Sequence, residues 1–134
     1  MRLNRGIAGA CLLLVVAAAP VSAQVEQLRG GSLSLRCGGI GLEASQRMRA
    51  EVAMHALTLL FSSEDGAYLT DVQTRVDNPL GNQSVEVSCG PIAQIDVSEA
   101  GNYRITATYE GVRQEHWVEL VPGGGASLSL RWRE

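Results

Sequence analysis

His55 and His116 are the only imidazoles in this chain of 134 residues, so general acid–base catalysis by histidine has just two positions to work from. Neither stands in a chemical context. No Gly-x-Ser-x-Gly elbow accompanies them to supply an activated serine. No His-x-x-x-His or Asp-x-Asp-x-Asp-Gly spacing gathers ligands for a cation. His116 shares strand parity with Val118 and Leu120 and reads as a packed or edge histidine. His55, at the exit of a helix-forming stretch, reads as the polar end of a helix face, favoured there by the helix dipole. Glu64 and Asp65 fall in a turn and read as solvated acids. Gly38-Gly39-Ile40-Gly41 is glycine-rich like a phosphate-cradling loop, but no βαβ pattern surrounds it, and it reads as a tight strand-to-helix turn. We therefore expect no catalytic residue, no cofactor and no metal.

Trp117 carries more information. It lies on the polar parity of its strand between Glu115 and Glu119, which is where a solvent-facing side chain belongs. An exposed aromatic among polar groups marks a binding surface. Such an indole can stack on a sugar ring or anchor a protein partner. If the face is instead covered by the helix or the N-terminal strand, Trp117 is a residue of a second core.

The third chemical signal is sulfur, and its reading depends on compartment. Residues 1–23 open with Arg2 and Arg5, continue through an uncharged run over 7–19, break at Pro20 and end on Val21-Ser22-Ala23. This is the layout of a cleaved secretory leader, and the run is shorter than the roughly 20 apolar residues a membrane span requires. Cleavage after Ala23 leaves residues 24–134 as one domain, with Cys37 and Cys89 as its two cysteines. In an oxidising compartment a lone pair bridges. The alternative, a thiol metal or redox site, lacks a Cys-x-x-Cys pair.

Composition narrows the classes further. All 11 positive residues are Arg, 14 acids outnumber them, the formal net charge is -3, and no basic stretch is present to line up on phosphates. Nucleic acid is not an expected partner. Nor is a membrane, once the leader is removed.

The elements that must position these residues are strands. Leu33, Leu35 and Cys37 share one parity; Leu57, Leu59 and Phe61 form the next apolar stripe. Tyr68 to Val76 alternates after the turn at Ser62-Ser63-Glu64-Asp65-Gly66. Val85, Val87 and Cys89 follow a second turn at Asp77-Asn78-Pro79-Leu80-Gly81-Asn82. Tyr103, Ile105, Ala107 and Tyr109 alternate most cleanly, Glu110-Gly111 turns, and 114–121 alternates again. Leu128, Leu130 and Trp132 close the chain. Seven alternating runs predict an all-β antiparallel sandwich. Glu43 to Met54 departs from the period, with Ala44, Met48, Val52 and His55 spaced by three or four, and predicts a short helix crossing one end of the sandwich.

Several stretches together resemble small exported proteobacterial proteins with a transthyretin-like, carboxypeptidase-regulatory-like β-sandwich domain. They are Gly38-Gly39-Ile40-Gly41, Leu59-Leu60-Phe61, Gly66-Ala67-Tyr68-Leu69-Thr70-Asp71-Val72, Gly90-Pro91, the strand Gly101-Asn102-Tyr103-Arg104-Ile105-Thr106-Ala107-Thr108-Tyr109-Glu110-Gly111, and Leu130-Arg131-Trp132. The chain departs from that pattern at Ser98-Glu99-Ala100-Gly101, where such domains carry Pro-Pro-Gly, and at Ile92, where they carry Trp. The resemblance implies a transthyretin-like or Ig-like sandwich of about seven strands, in a periplasmic, non-catalytic accessory or interaction module. The candidate surface, Trp117 with Glu115 and Glu119, follows from strand parity and not from the resemblance, and its expected partner is an envelope protein or, as the alternative, a glycan. A small hydrolase is the remaining alternative; it requires His116 in a cleft beside Ser or Cys and an acid.

Overall fold

The computed structural model describes residues 26–30 and 32–133; the expected leader, residues 1–23, lies outside the described residues. The chain is an all-β sandwich. Among the described residues nine strands form two sheets. The five-stranded sheet runs β1 (Glu26–Gly30), β2 (Leu33–Gly38), β6 (Ile92–Val97), β3 (Leu57–Ser63), β9 (Ala126–Trp132). The four-stranded sheet runs β5 (Gln83–Cys89), β4 (Val72–Asn78), β7 (Gly101–Tyr109), β8 (Val112–Leu120). All pairings are antiparallel except β3 with β9, which is parallel.

The predicted stripes face the core because side chains alternate across a strand. Leu33, Leu35, Leu57, Leu59, Phe61, Leu130 and Trp132 from one sheet meet Val72, Val76, Val85, Tyr103, Ile105 and Ala107 from the other. Tyr103 sits at the start of β7, buried, with its hydroxyl donating to the Glu99 carbonyl at 2.7 Å. That bond ties the turn before β7 to the strand, in the manner of the tyrosine corners of Greek-key sandwiches. The two open flanks of the sandwich are closed differently. On one, the Cys37–Cys89 disulfide links β2 to β5, with Cα atoms 4.9 Å apart. On the other, Trp132 Nε1 donates to the Val112 carbonyl at 2.9 Å, and Gln114 Nε2 to the Arg131 carbonyl at 2.6 Å.

Three features differ from the sequence expectation. Two strands exceed the expected seven. One of them, β6, is the central strand of its sheet, and Ile92, Ala93, Gln94 and Ile95 are all buried; burial on both faces removes the alternation that reveals a strand. The predicted strand over Tyr68 to Val76 begins only at Val72. Asp71 adopts φ 59°, which breaks the extended run, and upstream of it the parity inverts, so that Leu69 is buried while Tyr68 is 55% exposed. The helix α1 (Leu42–Ala50), followed by a 3-10 turn at Val52–Met54, lies over the outer face of the five-stranded sheet and not across an end. It buries Ala44 and Met48, and the fully buried Gln94 of β6 donates to the Met48 carbonyl at 2.7 Å. A helix stripe of that width seeks a broad apolar surface, and Ile92 with the flanking glycine turn offers one. Gly39 there holds φ 89°, and a Cβ on it would sit 2.7 Å from Ile92 Cγ1.

Candidate functional site

Among the described residues the helix covers one sheet, and the outer face of the other is open. That face is set by three registers. The Glu110-Gly111 turn has positive φ at both residues, 47° and 79°, the requirement of a two-residue type I′ hairpin whose twist matches its strands. It places Arg104 opposite Trp117, Thr106 opposite Glu115 and Thr108 opposite Arg113. The β4–β7 register adds Asp77, Arg75 and Gln73 to the same rows, and the β4–β5 register adds Ser84, Glu86 and Ser88. The outer face is thus a lattice of hydrogen-bonding side chains with one indole in it.

Trp117 is 51% exposed, so the covered-face alternative does not hold. The Arg104 guanidinium lies over its ring, 5.6 Å from the centroid, within cation–π range. Arg104 is held in turn by Asp77, whose Oδ2 accepts from Nε and Nη2 at 3.3 Å each. The other oxygen of Asp77 accepts from Arg75 Nε at 2.9 Å. Glu115 and Glu119 are both exposed on the Trp117 face; Glu115 pairs with Arg113 at 3.0 Å. Beside the indole, a shallow polar depression of about 330 Å³ lies over Arg75, Glu86, Thr106, Thr108 and Arg113. Arg104 and Asp77 were missed as site residues, yet the hairpin turn contains the signal: a two-residue loop at 110–111 dictates that 104 faces 117.

Burial of Asp77 opposes its ionisation, but the hydrogen bonds from Arg75, Ser84 and Arg104 outweigh it and hold the carboxyl below its ordinary value. A depressed folded-state pKa contributes stability that is fully present above the unfolded value, about 3.9 for aspartate, and is lost as pH falls through the lower folded value. Asp77→Asn should therefore lower the thermal midpoint at pH 6, and its deficit relative to the native protein should shrink as the pH drops below about 4. A deficit that stays constant across that range would show that the charge of Asp77 is not what holds Arg104.

The remaining candidates lie elsewhere. His116 is half-buried on the inner side of β8, with Nε2 3.1 Å from Gln114 Oε1. His55 sits over the opposite sheet, Nδ1 2.8 Å from Asp96 Oδ2 and Nε2 3.8 Å from Glu51 Oε2. It caps the 3-10 turn after α1, at the helix exit where the sequence pattern places it, and adds a strand carboxylate, Asp96, as its nearer partner. Asp65 is a turn residue; the Ser63 hydroxyl and the Ala67 amide donate to it and hold its carboxyl below the ordinary range. A second, more apolar depression of about 460 Å³ runs along one side of α1 from Leu42 to Arg49, whose guanidinium lies 5.4 Å from the Tyr68 ring centroid and donates to its hydroxyl. Among the described residues no group of three or more His, Cys, Asp and Glu side chains forms a potential metal site. No described helix is long and apolar enough to cross a membrane. No protein-family model, curated protein or solved structure matches the chain.

Proposed function

We propose that this protein is an exported, periplasmic interaction module that binds a partner protein of the cell envelope through the outer face of its four-stranded sheet, without catalysing a reaction. The observation that carries this reading is the half-exposed Trp117 with Arg104 laid over its ring and Asp77 fixing Arg104 from behind. Trp and Arg are the residues most enriched among the dominant contributors to protein interfaces. Here they are pre-ordered, which lowers the entropic cost of association. The disulfide supports the export half of the reading, because such bonds persist in oxidising compartments. So does the leader-like pattern of residues 1–23, and the family resemblance points the same way.

The test keeps the indole intact by placing a photoreactive residue at Glu115, with the exposed Ser129 of β9 on the other sheet as control. In-cell crosslinking should capture one discrete envelope protein at 115 and not at 129. Trp117→Ala, a surface change that leaves the melting temperature in place, should weaken binding of that purified protein roughly 30-fold, the scale of a hot-spot truncation. Glycan in the adduct would replace the protein partner by a carbohydrate. Equal capture at both positions, or binding indifferent to Trp117→Ala, would overturn the reading.

A further inference from the structure

The strand that carries Trp117 is also an edge. Among the described residues β8 pairs with β7 and with no strand on its other side. In a two-residue hairpin the residues flanking the turn, Tyr109 and Val112, exchange both hydrogen bonds, and such pairs then recur at every second residue. Val112, Gln114, His116, Val118 and Leu120 therefore spend their backbone groups on β7. The N–H and C=O groups of Arg113, Glu115, Trp117 and Glu119 point outward along the free edge, a template for another strand.

We propose that β8 is the contact surface for a second copy of this chain, the two strands pairing antiparallel about a two-fold axis at His116. Self-pairing must bring outward-pointing residues opposite one another, which leaves three registers that use most of the strand. An axis at Glu115 sets that carboxylate against its own copy. An axis at Trp117 sets Glu115 against Glu119 of the second copy twice. An axis at His116, the midpoint of Val112–Leu120, sets Arg113 against Glu119 of the second copy on both sides, and Trp117 against Glu115. Opposite charges directly across a strand pair stabilise and like charges destabilise, so charge complementarity selects the third register. An isologous contact of this kind closes at two copies. It joins the two four-stranded sheets into one of eight strands and brings the two Arg104–Trp117 pairs onto one continuous face.

The strand pairing stands on edge geometry and charge pattern and not on what the outer face binds; a second copy of this chain in the Glu115 adduct reports the strand pairing, and a different protein in it reports the partner of the outer face. The experiment is sedimentation equilibrium of the purified protein over a wide concentration range. A reversible dimer is expected. Arg113→Glu and Glu119→Arg, each at an exposed position, should separately raise the dimer dissociation constant by at least about tenfold, and the double swap R113E/E119R should restore it. Glu115→Pro removes one outward amide without touching the β7 ladder and should leave a folded monomer. His116→Cys should form an intermolecular disulfide on oxidation, because residues facing each other at a non-hydrogen-bonded position approach within bridging distance. A monomer at every concentration, a dimer indifferent to both single reversals, or a double swap that fails to restore pairing would overturn the proposal.

Discussion

Removal of the disulfide by Cys37→Ala with Cys89→Ala is expected to cost about 4 kcal/mol of folding free energy in the chain-entropy model. The bridged residues are separated by 52 positions, so the bond removes a large loop from the unfolded ensemble. It joins β2 in one sheet to β5 in the other, on the flank where hydrogen bonding across the gap is sparse; there the Ser32 amide and hydroxyl both donate to Gln83 Oε1. Native domains hold about 5–15 kcal/mol in total, so the bridge is a large share of what keeps this one folded. The thermal midpoint should fall by roughly 15 °C or more. Equilibrium urea unfolding of the double variant checks this, and a loss under about 1 kcal/mol would mean the chain-entropy argument fails for this loop. The bridge lies on the flank away from β8, so the folded variant should keep the Arg104–Trp117 face in place.

The opposite flank depends on Trp132, and Trp132→Ala should destabilise by about 3–5 kcal/mol, as large-to-small aromatic changes in cores do. The indole is buried, with ring centroids 5.9 Å from Phe61 and 6.0 Å from Tyr109. Its Nε1 donates to the Val112 carbonyl, which ties β9 to the first residue of the β8 edge. The two contributions separate by a second variant. Trp132→Phe keeps most of the ring volume but loses the donor, and should cost about 1–2 kcal/mol. Comparable losses for Phe and Ala would assign the effect to the hydrogen bond, and a loss near zero for Ala would overturn the packing account.

Much of the architecture was legible because it follows from local alternation. The stripes at Leu33-Leu35-Cys37, Leu57-Leu59-Phe61, Tyr103-Ile105-Ala107 and Leu128-Leu130-Trp132 lie on the parity of the core face. Both cysteines sit on apolar parities that face the core, and they bridge. The turn at 110–111 specifies its own hairpin register, so the Arg104–Trp117 pair was implicit before any tertiary information. The region over 68–71 was not legible, because one left-handed residue at Asp71 reverses which neighbours face inward and alternation carries no sign of it. Nor was β6, whose burial on both faces erased its period.

By itself the sequence determined which residues lie on the inner and outer sides of most strands, the β7–β8 register, the helix and the pair of cysteines able to meet. These depend on backbone period and on turn chemistry, and both are short-range. Only the tertiary structure decided which strands are neighbours. The parallel pairing of β3 with β9 joins segments far apart in the chain, and β8 ends at an edge of its sheet, while α1 covers the other sheet and leaves the Trp117 face open. Those outcomes come from the competition of all apolar surfaces for burial at once. That competition is a property of the whole chain, and no local pattern of residues encodes its result.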